Sequence, residues 1–433
     1  MVVTSSKQTG EIYGRWPWVE PTVWSERMLT ALEEGVKGGV WFSLIDKVWS
    51  HENLRASFRK VKANKGAPGI DHQTVGMFES DLHANLCRLS DQIRESRYHP
   101  QAVRRTYIDK PGSKEKRPLG IPTVCDRVAQ GALRQVLEPI FEKDFAEHSY
   151  GFRPNRGCKD ALRQVESLLK EGYTQVVDAD LKSYFDTISH KRLLGRIQSK
   201  VADSRVVGLL GSYLTQGIME EMKYWTPEEG TPQGAVISPL LSNIYLDPLD
   251  HMMKERGFHM IRYADDFVVL CKSKEEAERA LKAIREWVEE NELTLHPVKT
   301  KIVDAYHEGF DFLGYHFEKG TRWPRKKSLK KFKDTIRRKT RRSNGYDMKC
   351  IIYRVNLTLK GWFEYFKHSN HRTFNSLDAW IRMRLRSILR KRRKLRGRGR
   401  GKDHHRWPNA YFADRGLYSL LTAYEKVCQP ARR

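Results

Sequence analysis

The sequence predicts an α+β fold, in which a body of helices and short strands is followed by a basic helical region. Two observations predict this class. Residues 101–320 alternate short runs rich in β-branched residues with helical windows of 10–18 residues, as expected for helices packed on a small sheet. From residue 326 onward, apolar residues recur at helical spacing beneath many lysines and arginines.

The positive charge is concentrated in the C-terminal part of the chain. The 433 residues carry a formal net charge of +26. Residues 321–433 contain 34 Lys and Arg against 7 Asp and Glu, whereas residues 1–320 contain 45 against 46. This distribution favours a polyanionic partner and argues against an ordinary metabolic enzyme. The 39% of hydrophobic residues can form a sizeable core and excludes a wholly disordered chain.

The predicted elements follow the chain in order. Residues 1–50 form an N-terminal extension with one helix and no recognisable chemistry. The run Gly66-Ala67-Pro68-Gly69 is a turn signal between two amphipathic helices. Residues 396–401 alternate Arg and Gly and predict a flexible basic linker. The helices are predicted at 23–36, 48–66, 77–96, 328–342, 347–367 and 375–394.

The cysteines and the apolar runs predict the cellular compartment of the protein. No two of the six cysteines are spaced as a C-x-x-C pair, so we expect reduced thiols in a cytoplasmic protein. The N-terminus has no secretory signal pattern. No apolar run approaches the roughly 18 residues of a membrane span, so we expect no membrane partner.

Aspartates mark the candidate catalytic centre. Asp265 and Asp266 interrupt two apolar strands, and adjacent carboxylates at such a hairpin tip favour a divalent cation such as Mg²⁺. The strand over 174–181 presents Asp178 and Asp180 on one face, because its side chains alternate with a period of two. If this strand lies beside the hairpin, Asp180 completes the three-carboxylate cluster that two-metal phosphoryl transfer requires. For Asp178, an exposed strand position is the alternative.

Seven short motifs appear in order over residues 51–320. They are RPLGIP (117–122), SYGFRP (149–154), DADLKSYFDTI (178–188), GTPQG (230–234), YADD (263–266), LTLHPVKTK (293–301) and FDFLGYHF (310–317). This ordered set resembles the successive polymerase motifs of the reverse transcriptases encoded by bacterial group II introns. The similarity continues through the helical C-terminal region and covers nearly the whole chain.

The resemblance implies a right-hand polymerase, with fingers and palm on a small antiparallel sheet, followed by a helical thumb and a basic helical maturase domain. Asp180, Asp265 and Asp266 match the metal-binding aspartates of the palm, which implies two Mg²⁺ ions. The expected divisions are an N-terminal extension (1–50), fingers and palm (51–320), a thumb (321–373) and a maturase region with a short tail (374–433).

The resemblance also implies contacts to the incoming dNTP. Lys110 and Arg117 match residues that grip the triphosphate, and Gln233 lies in a motif that packs against the nascent base pair. Phe185 matches a steric gate against the ribose 2′-hydroxyl, which implies a DNA product. Lys299 matches a lysine beside the leaving pyrophosphate. The residues alone leave alternatives: solvated lysines at 110 and 299, core packing at 185 and a helix start at 233.

The basic region is expected to bind RNA. The resemblance implies that the maturase domain binds the parent intron RNA and helps it fold for splicing. We assign the RNA contacts to arginines and expect the aromatic residues of the same helices to pack as thumb core. The predicted RNA-binding residues are Arg382, Arg386, Arg390, Arg392 and Arg393.

The predicted function is an RNA-directed DNA polymerase that also assists splicing of its intron and supports retrohoming by primed reverse transcription. Its expected partners are the intron RNA, an RNA template, a DNA primer, target DNA and dNTPs. The chain lacks the paired cysteines of an HNH endonuclease, and its ends are similar to the endonuclease-free proteins of class C introns. The alternatives are a catalytically idle RNA-folding maturase and a free-standing relative in defence or repair.

Overall fold

The chain divides into two units after Ile302. The computed structural model describes residues 11–36, 38–109, 116–220, 223–231, 234–397, 399 and 401–428. No helix within these ranges is both long enough and apolar enough to cross a membrane.

Helices are the predominant secondary structure of the first unit. Several begin at a hydroxyl residue whose oxygen accepts a hydrogen bond from a backbone N–H of the first turn, as at Ser25, Thr123 and Ser273. The helices are α1 Glu11–Arg15, α2 Glu26–Glu34, α3 Ile45–Trp49, α4 His51–Asn64, α5 Val75–Ser80, α6 Leu82–Arg94, α7 Val124–Glu142, α8 Cys158–Lys170, α9 His190–Gln198, α10 Ser204–Leu214, α11 Ser238–Glu255 and α12 Lys274–Glu290.

The first unit also contains two four-stranded sheets, and the last strand of the second sheet continues past Ile302, the end of the unit. The strands are β1 Val103–Asp109, β2 Lys116–Ile121, β3 Gln175–Asp180, β4 Ile218–Glu220, β5 Lys223–Trp225, β6 His259–Tyr263, β7 Asp266–Cys271 and β8 Lys301–Asp304. The first sheet has the order β2-β1-β4-β5 and the second the order β6-β7-β3-β8. The predicted strand runs around Asp180 and Asp266 are therefore neighbours in one sheet, which is the condition on which the carboxylate cluster depends.

The N-terminal segment packs into the core of the first unit. The predicted helix within 23–36 is confirmed as α2. Trp24 is fully buried, and its Nε1 donates a hydrogen bond of 3.0 Å to the carbonyl of Gln135 on α7. Trp41 forms a parallel β-bridge with Val201. Hydrophobic burial and these backbone contacts hold the segment against α7 and the α9–α10 connection.

The second unit consists of a small sheet and a basic helical bundle. Its elements are β9 Phe310–Phe312, β10 Tyr315–Glu318, β11 Thr321–Pro324, α13 Lys326–Lys339, α14 Met348–Phe366, α15 His371–Arg392, α16 Asp403–Arg406, α17 Asn409–Ala413 and α18 Leu420–Cys428. The three predicted helices correspond to α13, α14 and α15. The ring centroids of Trp362 and Phe366 lie 4.7 Å apart, and Phe363 packs on Phe374 at 5.5 Å, so the predicted aromatic packing is confirmed.

One prediction for the second unit is wrong at the residues described. Gly399, within the Arg-Gly run, is buried against α15 instead of belonging to a free linker. Its N–H donates to Ser387 Oγ over 3.1 Å, and a Cβ atom at this position would lie 2.5 Å from Arg386 Cβ. Glycine is therefore required here by close packing on α15, in addition to any flexibility that it gives the chain.

Candidate active site

The three predicted metal-binding aspartates lie at one end of the second sheet. Strands β3 and β7 are antiparallel, and Asp180 stands opposite Asp266 in their register. Strands β6 and β7 form a hairpin in which Tyr263 pairs with Asp266, so that Ala264 and Asp265 make the turn. The structure thus brings Asp180 beside the YADD turn, as the sequence predicts.

A buried arginine supports the turn that carries Asp265. Arg262 is fully buried, and its guanidinium contacts both carboxylate oxygens of Asp250 on α11 at 2.5–3.0 Å. The same guanidinium donates to Asn243 Oδ1 over 3.0 Å and to the carbonyl of Ala264 over 2.9 Å. Because the ion pair fixes the guanidinium, the guanidinium fixes the backbone immediately before Asp265.

The SYGFRP motif packs against the other side of the same turn. A Cβ atom on Gly151 would lie 2.2 Å from the backbone nitrogen of Ala264, so only glycine fits at this position. Asn243 Nδ2 donates to the Gly151 carbonyl over 2.8 Å, which links both supports of the turn. Ala264 itself has a φ of +59°, and the surrounding contacts hold this left-handed conformation.

The charges around the turn act on Asp265 in opposite directions. Desolvation raises the pKa of the Asp265 carboxyl above its usual value, and the negative charge of Asp180 raises it further. The positive charges of Arg117, on β2, and of Arg262 lower the same pKa. Arg117 is therefore close enough to influence the aspartates, which suits its predicted contact to a triphosphate.

Lys299 contacts one of the three aspartates directly. Its Nζ lies 2.5 Å from Asp180 Oδ2, although the lysine side chain is 61% exposed. Among the residues that the structure describes, no group of three His, Cys, Asp or Glu side chains stands ready to hold a metal ion. The three carboxylates share one sheet end, and Asp180 is paired there with the lysine ammonium.

Phe185 lies beside a cavity in the first unit. It belongs to a 3₁₀ turn, Tyr184–Asp186, and is 8% exposed. Its ring packs edge-on against Tyr184, with centroids 5.3 Å apart, so it contributes to the core. It also lines a cavity of about 210 Å³ together with Arg105, Gly120 and Trp225 of the first sheet. Core packing and a gating role are therefore both compatible with this position.

Two predicted dNTP contacts, Lys110 and Gln233, lie outside the described residues. The backbone just before Gln233 is anchored to the turn that carries Phe185. Thr231 N–H donates to the Phe185 carbonyl over 2.6 Å, and Gly230 N–H donates to the Ile188 carbonyl over 2.8 Å. The start of the GTPQG motif is thus tied to the DADLKSYFDTI motif.

The predicted RNA-binding arginines differ in their surroundings. The prediction is wrong for Arg386, which is 2% exposed and donates to the Trp407 carbonyl and to Asn409 Oδ1, each over 2.9 Å. A guanidinium enclosed in this way holds the bundle together and does not face a phosphate. Arg390 pairs with Asp403 at 2.8 Å. RNA binding by the half-buried Arg382 and by the exposed Arg392 and Arg393 stays a prediction.

The motifs alone do not indicate the positioning residues Arg262, Asp250 and Asn243. One signal was present in the sequence, because Arg262 places a charge inside the apolar run HMIRY. A charged residue within a buried strand needs a partner. Its partner Asp250 lies on the preceding helix, and helical spacing alone does not distinguish it from the neighbouring acidic residue Asp247.

Two family models match the chain. Residues 108–317 match "Reverse transcriptase (RNA-dependent DNA polymerase)", and residues 329–407 match "Group II intron, maturase-specific domain". The first match contains the aspartates, Arg117, Phe185 and Lys299. The second contains α14 and α15.

Curated relatives of the chain include a group II intron-encoded protein. The chain is 32% identical to Protein YkfC of Escherichia coli over 357 residues, which are 73% of this chain and 92% of that protein. It is 39% identical to the group II intron-encoded protein LtrA of Lactococcus lactis over 196 residues, which are 45% of this chain and 32% of LtrA. It is 29% identical to an uncharacterized protein in the cob intron of Schizosaccharomyces pombe, over 62% of this chain and 40% of that protein.

These matches agree with the geometry of the site. The α+β fold is that of a right-hand polymerase followed by a helical maturase region, as the sequence predicts. The matched region is a reverse transcriptase domain, that is, an RNA-directed DNA polymerase, and reverse transcriptases generally use divalent metal ions. The chain belongs to the family of group II intron-encoded reverse transcriptases that carry a maturase-specific domain.

Proposed function

We propose that RNA-directed DNA synthesis takes place at Asp180, Asp265 and Asp266, with two Mg²⁺ ions held by their carboxylates. The observation that carries this proposal is the register of β3 and β7, which sets Asp180 opposite Asp266 and beside the turn of Asp265. Primer extension on an RNA template with dNTPs and Mg²⁺ tests it.

The chemistry of these donors suits Mg²⁺. Carboxylate oxygens are the hard ligands that this ion prefers. The raised pKa of Asp265, caused by desolvation and by the charge of Asp180, is the effect that a nearby cation offsets. When bound, the ions would supply positive charge at the reacting phosphate and at the attacking and leaving oxygens. Asp180 would then pair with the metal ions instead of with the Lys299 ammonium.

The remaining residues of the site would orient the substrate. In the reaction, the primer 3′-hydroxyl releases its proton to solvent, its oxygen bonds to the α-phosphorus of a dNTP, and the bond from that phosphorus to the pyrophosphate oxygen breaks. Arg117 would bind the triphosphate through charge-assisted hydrogen bonds. Lys299 Nζ, now on Asp180, would donate a proton to the leaving pyrophosphate.

Replacing Lys299 tests its role as a proton donor. We expect Lys299→Ala to lower kcat by about a hundredfold, with little change in KM for the dNTP, because proton donation acts in the transition state. Lys299→Arg keeps a positive charge for Asp180 but does not readily release a proton. Single-turnover kinetics should therefore find both variants slow. Full activity of Lys299→Arg would show that the charge alone is needed.

Reducing Phe185 tests the steric gate. We expect Phe185→Val to lower the preference for dNTPs over rNTPs by at least about tenfold, because the larger cavity admits a 2′-hydroxyl. The ratio of kcat/KM values for dCTP and CTP measures the effect. Tyr184→Phe is the matched control, since it removes only a buried hydroxyl that donates to the Ser242 carbonyl over 2.8 Å. If Phe185→Val is less stable but its ratio of kcat/KM values for dCTP and CTP is unchanged, Phe185 contributes to packing alone.

We further propose that the protein binds the RNA of its own intron in the cytoplasm, assists its splicing and carries it into target DNA by reverse transcription primed on DNA. The maturase-specific match and the excess of basic residues in 321–433 support RNA binding. The six free cysteines support a reducing compartment. Splicing of the flanking intron at low Mg²⁺ with and without the protein tests this part, and equal rates would contradict it.

A further inference from the structure

A cleft opens beside the turn between α13 and α14 in the second unit. Its volume of about 520 Å³ is within the range of volumes found for ligand-binding clefts. The residues that matter for its chemistry are Arg338, Lys339, Tyr346, Arg354 and Leu357. We call it the Tyr346 cleft. None of these residues belongs to the polymerase site or to the arginines assigned to RNA from the sequence.

One cation of the Tyr346 cleft is held by neutral oxygens, since Lys339 Nζ donates to the Arg354 carbonyl over 2.7 Å and to Thr358 Oγ1 over 2.6 Å. In the described part of the chain, no ion pair joins Arg338, Lys339 or Arg354 to a carboxylate. Burial lowers the pKa of Lys339, and the positive charges of Arg354 and Arg338 lower it further. Like charges held together in this way favour an anionic ligand that spans them.

An exposed aromatic ring lies among these cations. Tyr346 is 55% exposed, and the guanidinium carbon of Arg354 lies 4.6 Å from its ring centroid. The stacked guanidinium restrains one side of the tyrosine, and Leu357, which is 58% exposed, adds apolar surface to the cleft. An open ring between cations is the combination that stacks on a nucleobase while the neighbouring charges contact phosphates.

The loop that carries Tyr346 is held in place before any ligand binds. Asn344 Nδ2 donates to the Lys339 carbonyl, and Tyr346 N–H donates to Asn344 Oδ1, each over 3.0 Å. From α15, Arg384 donates to the Thr340 carbonyl over 2.9 Å, and Arg392 donates to the Tyr346 carbonyl. A preformed loop loses little conformational entropy on binding, which favours a ligand site over a mobile surface loop.

We propose that the Tyr346 cleft binds an unpaired nucleotide of a structured RNA, with its base on Tyr346 and its flanking phosphates on Arg338, Lys339 and Arg354. A base inside a continuous duplex has both faces covered by its neighbours, so only a loop, bulge or end offers a free face to the ring. The inference rests on the proposed binding of intron RNA and names one of its contact sites.

The test compares two RNAs with variants of the full-length protein. The probes are a fluorescent hairpin RNA with a single-stranded loop and a blunt RNA duplex with the same stem. We expect Tyr346→Ala to weaken hairpin binding about tenfold and duplex binding less than about twofold, because stacking on the ring is lost only for the unpaired base. Tyr346→Phe should keep the affinity. Arg354→Gln should lower the slope of log K against log salt by about one.

Tyr353→Ala is the matched control, since Tyr353 is a 65% exposed tyrosine on α14 that does not line the cleft. Equal losses in Tyr346→Ala and Tyr353→Ala, equal losses on hairpin and duplex, or no hairpin binding by the wild type would each overturn the proposal. A hairpin-specific loss in a protein that fails to extend primers would leave the cleft supported and the polymerase proposal refuted. Primer extension by the wild type, together with no hairpin-specific loss in Tyr346→Ala, would refute only the proposed binding to the cleft.

Discussion

Asp265→Asn should reduce nucleotide addition on an RNA template at least about a thousandfold while leaving RNA affinity within about twofold. The amide keeps the size of the side chain but removes the negative charge that a divalent cation needs. The variant should fold, because desolvation raises the pKa of Asp265 and a neutral group is therefore less costly at this position than the carboxylate. Single-turnover primer extension and RNA binding by fluorescence anisotropy measure the two quantities.

Asp178→Asn is the matched control for this prediction. Asp178 lies on β3 two residues before Asp180, and its register partner is Val268 instead of an aspartate of the turn. We expect it to retain polymerase activity within about threefold, since one carboxylate from this strand suffices for the metal site. A loss in Asp178→Asn as large as that in Asp265→Asn would place Asp178 among the metal ligands and contradict the assignment.

The second large effect is expected at the buried pair below the YADD turn. Arg262→Met leaves the Asp250 carboxylate, 4% exposed, without its partner and should lower the free energy of unfolding by about 3–5 kcal/mol. The double variant Arg262→Met/Asp250→Leu removes both charges and should recover most of that loss, because apolar side chains of similar size can replace a buried ion pair. Urea denaturation measures the free energy of unfolding of both variants, read from the transition of the first unit.

Stability and activity should separate in the double variant. It lacks the guanidinium that donates to the Ala264 carbonyl over 2.9 Å, so the backbone before Asp265 loses its support even in a stable protein. We expect kcat to stay at least about tenfold below the wild-type value while KM for the dNTP changes less. Recovery of kcat together with stability would show that Arg262 contributes to folding alone and does not position the turn.

The parts of the fold and site that depend on local patterns could be predicted from the sequence. The periods of two and of 3.6 residues placed the strands of Asp180 and Asp266 and the helices α13, α14 and α15. The motif order supplied the family, because many short motifs rarely occur together by chance. Asp265 and Asp266 could be placed because a hairpin of two apolar strands carries them, whereas the position of Asp180 depends on the pairing of β3 with β7, which local patterns leave open.

The contacts that depend on the packed chain could not be predicted in this way. Lys299 meets Asp180 across 119 positions of sequence, and no local pattern indicates this ion pair. Arg386 lies in a helix where basic residues occur on every side, so its burial under Trp407 does not follow from spacing. Gly399 resembled part of a flexible linker because Gly-Arg composition is typical of linkers, whereas close approach to α15 requires the same residue type.

The most direct test of the central claim is primer extension by the wild-type protein on an RNA template, with a DNA primer, dNTPs and Mg²⁺. We predict a full-length DNA product that requires Mg²⁺ and is absent when Asp265→Asn/Asp266→Asn replaces the wild type. If the folded wild-type protein binds RNA and yet adds no nucleotide, the active polymerase site is refuted, and the chain acts as an RNA-folding maturase on a polymerase scaffold.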